Sequence, residues 1–147
     1  MAKSNYCLID PDGGFLKVTV TANNGIRTGA VFVLWEIQQG QWGKKEKFQV
    51  STGDKGVDEF VINVRPTDIE NNSLAWFMNA CSSIHAIDRG EITINITQDN
   101  VNRFKKSSSR LIPKCNDAKQ LQFGSHVIFK HMISENISTS DLWKDTE

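Results

Sequence analysis

Ala30-Val31-Phe32-Val33-Leu34-Trp35-Glu36-Ile37-Gln38 is the most apolar stretch of the chain, and its reading decides the fold. β-Branched and aromatic residues dominate it, and turn residues bound it, Thr28-Gly29 before and Gly40 after. Both features favour a strand. Successive side chains on a strand point to opposite faces. Val31, Val33, Trp35 and Ile37 therefore share one face, and Phe32, Leu34 and Glu36 share the other. Both faces are largely apolar, which predicts a central strand covered on both sides.

Toward the N-terminus, Phe15 to Ala22 alternates apolar Leu16, Val18, Val20 and Ala22 with Lys17, Thr19 and Thr21. That is the pattern of a half-buried strand. Tyr6 to Ile9 reads as an edge strand, and Asp10-Pro11-Asp12-Gly13-Gly14 reads as a turn. Asp10 and Asp12 alone do not make a calcium loop, which needs further oxygen ligands and a downstream Glu. Toward the C-terminus, Gln38 to Gly43 reads as a loop or hairpin tip, with Lys44, Lys45 and Lys47 beyond it. Phe48 and Val50 begin a short return strand, and Phe60, Ile62 and Val64 form another that Pro66 ends.

Residues 67–83 are ambiguous by period. Thr67 and Glu70 have capping-box spacing, and Ile69, Trp76, Phe77, Ala80 and Ile84 would share a helical stripe. Asn71-Asn72-Ser73 are poor helix formers. The favoured reading is a loop or one helical turn over Asp68 to Asn72, then a strand from Leu74 to about Ala80. Ile92, Ile94 and Ile96 alternate with Thr93, Asn95 and Thr97 in the clearest strand of the chain. Val101 to Lys114 is polar and basic and reads as a solvated loop. Leu121 and Phe123, then Val127, Phe129 and Ile133, give two short final strands around Gly124.

Many short strands with turn signals between them predict an all-β fold, an antiparallel β-sandwich of Ig-like or jelly-roll type. One short helix is allowed near 67–73 or at the C-terminus, where Ser138 to Asp141 could cap a turn anchored by Leu142 and Trp143. Residues 1–133 are expected to form a single domain, and 134–147 a polar tail.

The chain has 147 residues, long enough for one core without staples. Lys+Arg and Asp+Glu both number 17, so the net charge is zero. A protein that neutralises many phosphates shows a basic surplus, so nucleic acid is not the expected partner. Zero charge also removes long-range repulsion between copies and eases self-association. No run approaches a membrane span. The N-terminus lacks an apolar signal core, and Cys7, Cys81 and Cys115 are odd in number and widely spaced. Both observations lead to the expectation of a soluble cytoplasmic protein with reduced cysteines, with signal-independent export left open.

Chemistry is sparse. His126 and His131 lie five apart on an expected strand, hence on opposite faces, and no metal-ligand spacing occurs. Cys81, His85 and Asp88 could be imagined as a nucleophile, base and orienter, but they share one short loop with nothing to fix their geometry. No nucleophile elbow or phosphate loop is present. The N-x-Ser/Thr patterns at Asn71, Asn95 and Asn136 are about as many as chance supplies. The expectation is a non-catalytic binding protein without cofactor or metal, acting through itself or a protein partner. A small cysteine-dependent enzyme built on Cys81 and His85 is a lesser reading. Arg103, Phe104, Lys105 and Lys106 are the candidate partner contacts. The alternative is a lectin-like module binding a glycan through Trp42, flanked by Gln39 and Gln41, because an exposed ring stacks on a sugar while amides bond its hydroxyls.

Overall fold

The computed structural model describes residues 5–23, 25–116 and 121–132. Nine strands follow one another: β1 (Tyr6–Ile9), β2 (Leu16–Ala22), β3 (Ile26–Gln38), β4 (Gln41–Ser51), β5 (Val57–Ile62), β6 (Ser73–Ser82), β7 (Ile87–Gln98), β8 (Val101–Ile112) and β9 (Leu121–His131). They form an all-β sandwich of two sheets, ordered β1-β9-β6-β3-β4 and β5-β2-β7-β8. Neighbours are antiparallel, except that β1 runs parallel to β9. The expected C-terminal helical turn, Ile133 and the 134–147 tail lie outside the described residues.

The core follows from period-two alternation. Ile92, Ile94 and Ile96 of β7 face Leu16, Val18 and Val20 of β2 around the sandwich interior, all buried. From the other sheet come Phe32 and Leu34 of β3, Leu74, Trp76 and Met78 of β6, and Val127 and Phe129 of β9, all buried as well. The Phe32 ring lies 5.0 Å from Phe60 and 5.7 Å from Trp76, and Phe48 stacks on Phe60 at 4.3 Å. Buried Gln98 clasps the Asp10–Gly14 turn to this core. Its Oε1 accepts from the Asp10 N–H at 2.8 Å, and its Nε2 donates to the carbonyls of Asp10 (2.7 Å) and Gly14 (3.1 Å).

The ambiguous stretch resolves as a turn followed by a strand. Pro66–Asp68 makes one 3-10 turn, with Pro66 supplying the fixed φ that suits a first helical position. The chain then turns through Asn71, at φ 67°, into β6.

The two final strands expected around Gly124 are one, β9, which pairs with β6 straight through that glycine. Four further expectations need correction. First, Thr28-Gly29 does not bound the central strand. β3 begins at Ile26, and Gly29 pairs with both Ser51 and Asn79. Second, β3 is interior within its sheet but covered on one side only. Ala30, Phe32 and Leu34 are buried, whereas Val31, Val33 and Trp35 are half-buried and Ile37 is exposed. Third, 101–112 is no loop. It is β8, paired with β7 from Val101 to Ile112. It sits at the sheet edge, where Lys106, Ser108 and Arg110 can occupy inward positions opposite Ile94, Ile92 and Gly90 and still reach solvent. Those polar inward residues hide the alternation.

Fourth, the cysteines are not all reduced. Cys81 and Cys115 form a disulfide across 34 residues, with Cα atoms 4.8 Å apart. The backbone brings them together. The Ser82 N–H donates to the Pro113 carbonyl at 2.7 Å, and the Cys115 N–H donates to the Ser82 carbonyl at 2.8 Å. This removes the cysteine half of the argument for a reducing compartment. Cys7 remains a free, buried thiol. No helix among the described residues is long and apolar enough to cross a membrane.

Candidate interaction face

The outer face of the five-stranded sheet is built in rows by strand register. Ile37 of β3 lies directly across from Trp42 of β4. The next row runs from Lys44 through Trp35, Ser73 and Ile128 to Tyr6. Below it, Lys47, Val33, Ala75 and His126 align, and then Gln49, Val31, Phe77 and Gly124. The last row is polar: Ser51, Gly29, Asn79 and Gln122. Odd-numbered positions of β3 and β6 thus carry the face that the interior does not use.

Three large apolar side chains on this face are half or more exposed: Ile37 (53%), Trp42 (51%) and Phe77 (54%). Single exposed hydrophobes are ordinary on protein surfaces, but a contiguous set across several strands is not. Among the described residues no element stacks over these rows. Charge is confined to the margins. Lys44 and Lys47 line the β4 side, and Lys130 sits beside Tyr6 at the β1 side, its Nζ 5.9 Å from the ring centroid. No carboxylate belongs to the four apolar rows, while Glu36 turns aside to Lys45, Oε2 to Nζ 3.1 Å.

Gln39 and Gly40 form a two-residue hairpin turn with φ of 52° and 79°. Trp42 therefore lies in a strand and not at a loop tip. Strand alternation aims Trp42 at the outer face beside Ile37, and Gln41, paired with Gln38, at the opposite side. Gln39 belongs to the turn itself. The amides expected to flank the ring do not share its face.

The basic group is likewise divided. Arg103 is the extra residue of a β-bulge, since Phe104 pairs with Ile96 and Asn102 with Thr97. Its Nη1 reaches Met132 Sδ at 3.8 Å, and its buried Nε has no partner among the described residues. Phe104 packs against the core, Lys105 is exposed, and Lys106 donates to Ser125 Oγ at 3.1 Å. One contiguous basic patch does not result.

The imagined Cys81–His85–Asp88 set is also taken apart. The Cys81 sulfur is bonded to Cys115, and the His85 Nδ1 lies 2.9 Å from the Ala86 carbonyl oxygen. The only other thiol, Cys7, is buried, and burial pushes its pKa up to about 12. His126 and His131 do fall on different faces. His126 is exposed on the outer face, and His131 is part-buried, its Nε2 2.6 Å from the Pro66 carbonyl oxygen. Among the described residues no three metal-ligating side chains converge.

Phe77 falls on the face opposite Leu74, Trp76, Met78 and Ala80, as the strand reading of this stretch has it; what that reading does not show is that this face is open, with Phe77 half exposed in its last apolar row. Comparison with protein families, with curated proteins and with solved structures finds no match to this chain.

Proposed function

We propose that this chain is a non-catalytic binding protein that self-associates through the outer face of its five-stranded sheet. The observation that carries the reading is the contiguous apolar set formed by Trp42, Ile37, Trp35, Val33, Val31 and Phe77. Four to five strands about 4.8 Å apart and seven residues of about 3.3 Å each give the apolar rows roughly 500 Å² per copy. Two such faces bury about 1,000 Å², near the lower limit for a specific but reversible interface. Zero net charge supports a second copy as the occupant, because no monopole repulsion opposes approach. A twofold arrangement sets apolar rows against apolar rows and leaves Lys44 and Lys47 at a wet rim, where charges cost little.

Light scattering or sedimentation over a concentration range tests this. A reversible dimer is expected, and Ile37→Lys with Trp42→Lys should weaken it by about 30-fold or more, the effect of losing an aromatic anchor. Both residues are exposed, so the folded spectrum should not change. A wild-type chain that stays monomeric at high concentration overturns the reading.

A further inference from the structure

The Gly29 end of the same face, where the row of Gln49, Val31 and Phe77 meets the polar row, holds a hollow of about 370 Å³. We infer that this hollow is a carbohydrate site that receives one ring of an uncharged sugar against Phe77. A second copy seated on Phe77 would cover the hollow, so sugar and self-association compete for it. Its walls come from separate parts of the chain. Phe77 and Asn79 are from β6, Val31 from β3, Gln49 from β4, and Asp58 from β5 of the other sheet. Gly29 keeps the floor open. A Cβ there would stand 3.1 Å from Asn79 Oδ1.

The lining has the two kinds of surface that a pyranose needs. Phe77 is 54% exposed and stacks on no other aromatic ring among the described residues. It offers a flat apolar face to the C–H side of a sugar ring. Around it stand groups for hydroxyls. The amides of Asn79 and Gln49 are exposed and make no side-chain hydrogen bond among the described residues, so each can donate and accept. Asp58 is held in place by backbone. Its Oδ2 accepts from the Ser51 N–H at 2.9 Å, and its Oδ1 from the Glu59 N–H at 2.9 Å. A second lone pair on each oxygen remains to accept from a hydroxyl. This fixed acceptor is pre-organised, which lowers the cost of binding.

The same lining argues against other ligands. No Lys or Arg belongs to it, so phosphate, sulfate or an acidic sugar would meet a carboxylate with no compensating cation. One carboxylate is too few for a divalent cation, and no metal-ligating cluster is found among the described residues. The aromatic ring with flanking amides that the sequence suggested at Trp42 is met here instead, from residues far apart in the chain.

The test is a titration of the 15N-labelled full chain with glucose, galactose, mannose and N-acetylglucosamine in turn, read by amide chemical shifts. At least one sugar should give saturable shifts, with millimolar affinity, at the Gly29 backbone amide and the Asn79 and Gln49 side chains. Asn79→Ala removes one exposed hydrogen-bonding group and should weaken binding by about tenfold. Gly29→Leu fills the hollow and should abolish it. Should Gly29→Leu fail to fold, Asn79→Ala decides. Trp42→Lys, at the hairpin end of β4 and outside the hollow, should preserve the sugar shifts, and should tighten apparent binding where it dissociates a dimer that covers Phe77. The inference is overturned if none of the four sugars gives a saturable shift, if the shifts centre on Trp42, or if they survive Asn79→Ala. A monomeric chain that still binds sugar would remove the self-association reading and leave this one standing.

Discussion

Cys7 lies on β1 with no accessible surface, and burial pushes its thiol from 9.0 up to about 12, against a smaller opposing pull from Arg103. The fold accommodates the neutral thiol and not the thiolate. Because the folded pKa lies above the unfolded one, the contribution is complete below pH 9.0 and is lost as pH climbs toward about 12. Between about pH 8 and about pH 10.5, unfolding free energy should therefore fall by roughly 2 kcal/mol more in the wild type than in Cys7→Ala. Urea denaturation at the two pH values measures this, and lysines common to both chains cancel in the difference. Equal slopes would mean that the thiol is reachable by water. The buried, hydrophobe-like role of Cys7 is legible from its apolar neighbours, Tyr6, Leu8 and Ile9. The bond between Cys81 and Cys115 is not, because nothing within 34 residues of sequence says that β6 and the segment after β8 will lie side by side.

At the scale of elements, legibility tracks how cleanly one face of a strand is buried. β2 and β7 stand at interior positions of their sheet, and their Leu/Val and Ile alternation announces them. β8 stands at the edge, and its inward Lys106, Ser108 and Arg110 erase the signal. Arg110 compensates by lying over the Phe123 ring, 4.4 Å from its centroid. β3 is longer than its apolar run because Gly29, a turn signal in isolation, is paired on both sides. Beyond β8, residues 113–115 have only the short bridge of Lys114 to Ser82 and its two backbone hydrogen bonds, which the disulfide reinforces. Closing a loop of this size should stabilise the fold by about 3–4 kcal/mol, mainly through the unfolded chain. The Cys81→Ser/Cys115→Ser double variant should show that loss in its denaturation midpoint. Thiol titration of the denatured wild type should count one free thiol before reduction and three after, since only Cys7 is unpaired. Three thiols before reduction would refute the bond.

For the molecule as a whole, the sandwich is readable from the recurrence of short strands, but its open sheet face is not. The strand that decides the fold is apolar on both faces, and sequence alone takes that as burial on both sides. In the folded chain one of those faces is the core and the other is open. The hollow at its Gly29 end gathers residues 29, 31, 49, 58, 77 and 79, which no linear motif joins. This division of the surface predicts how association should respond to salt. Attraction between charged patches weakens as the screening length drops from about 14 Å near 0.05 M to about 4 Å near 0.5 M salt. The apolar rows carry no carboxylate to pair with Lys44 or Lys47, and the chain has no net charge to screen. Burial of apolar area should therefore dominate, and burial is strengthened by excluded salts such as sulfate. Sedimentation in rising NaCl should leave the dimer dissociation constant unchanged within a factor of about three, and sodium sulfate should tighten it. A tenfold weakening in NaCl would shift the interface from the Trp42–Phe77 face to complementary charges elsewhere, with the basic edge at Lys105 the first place to look.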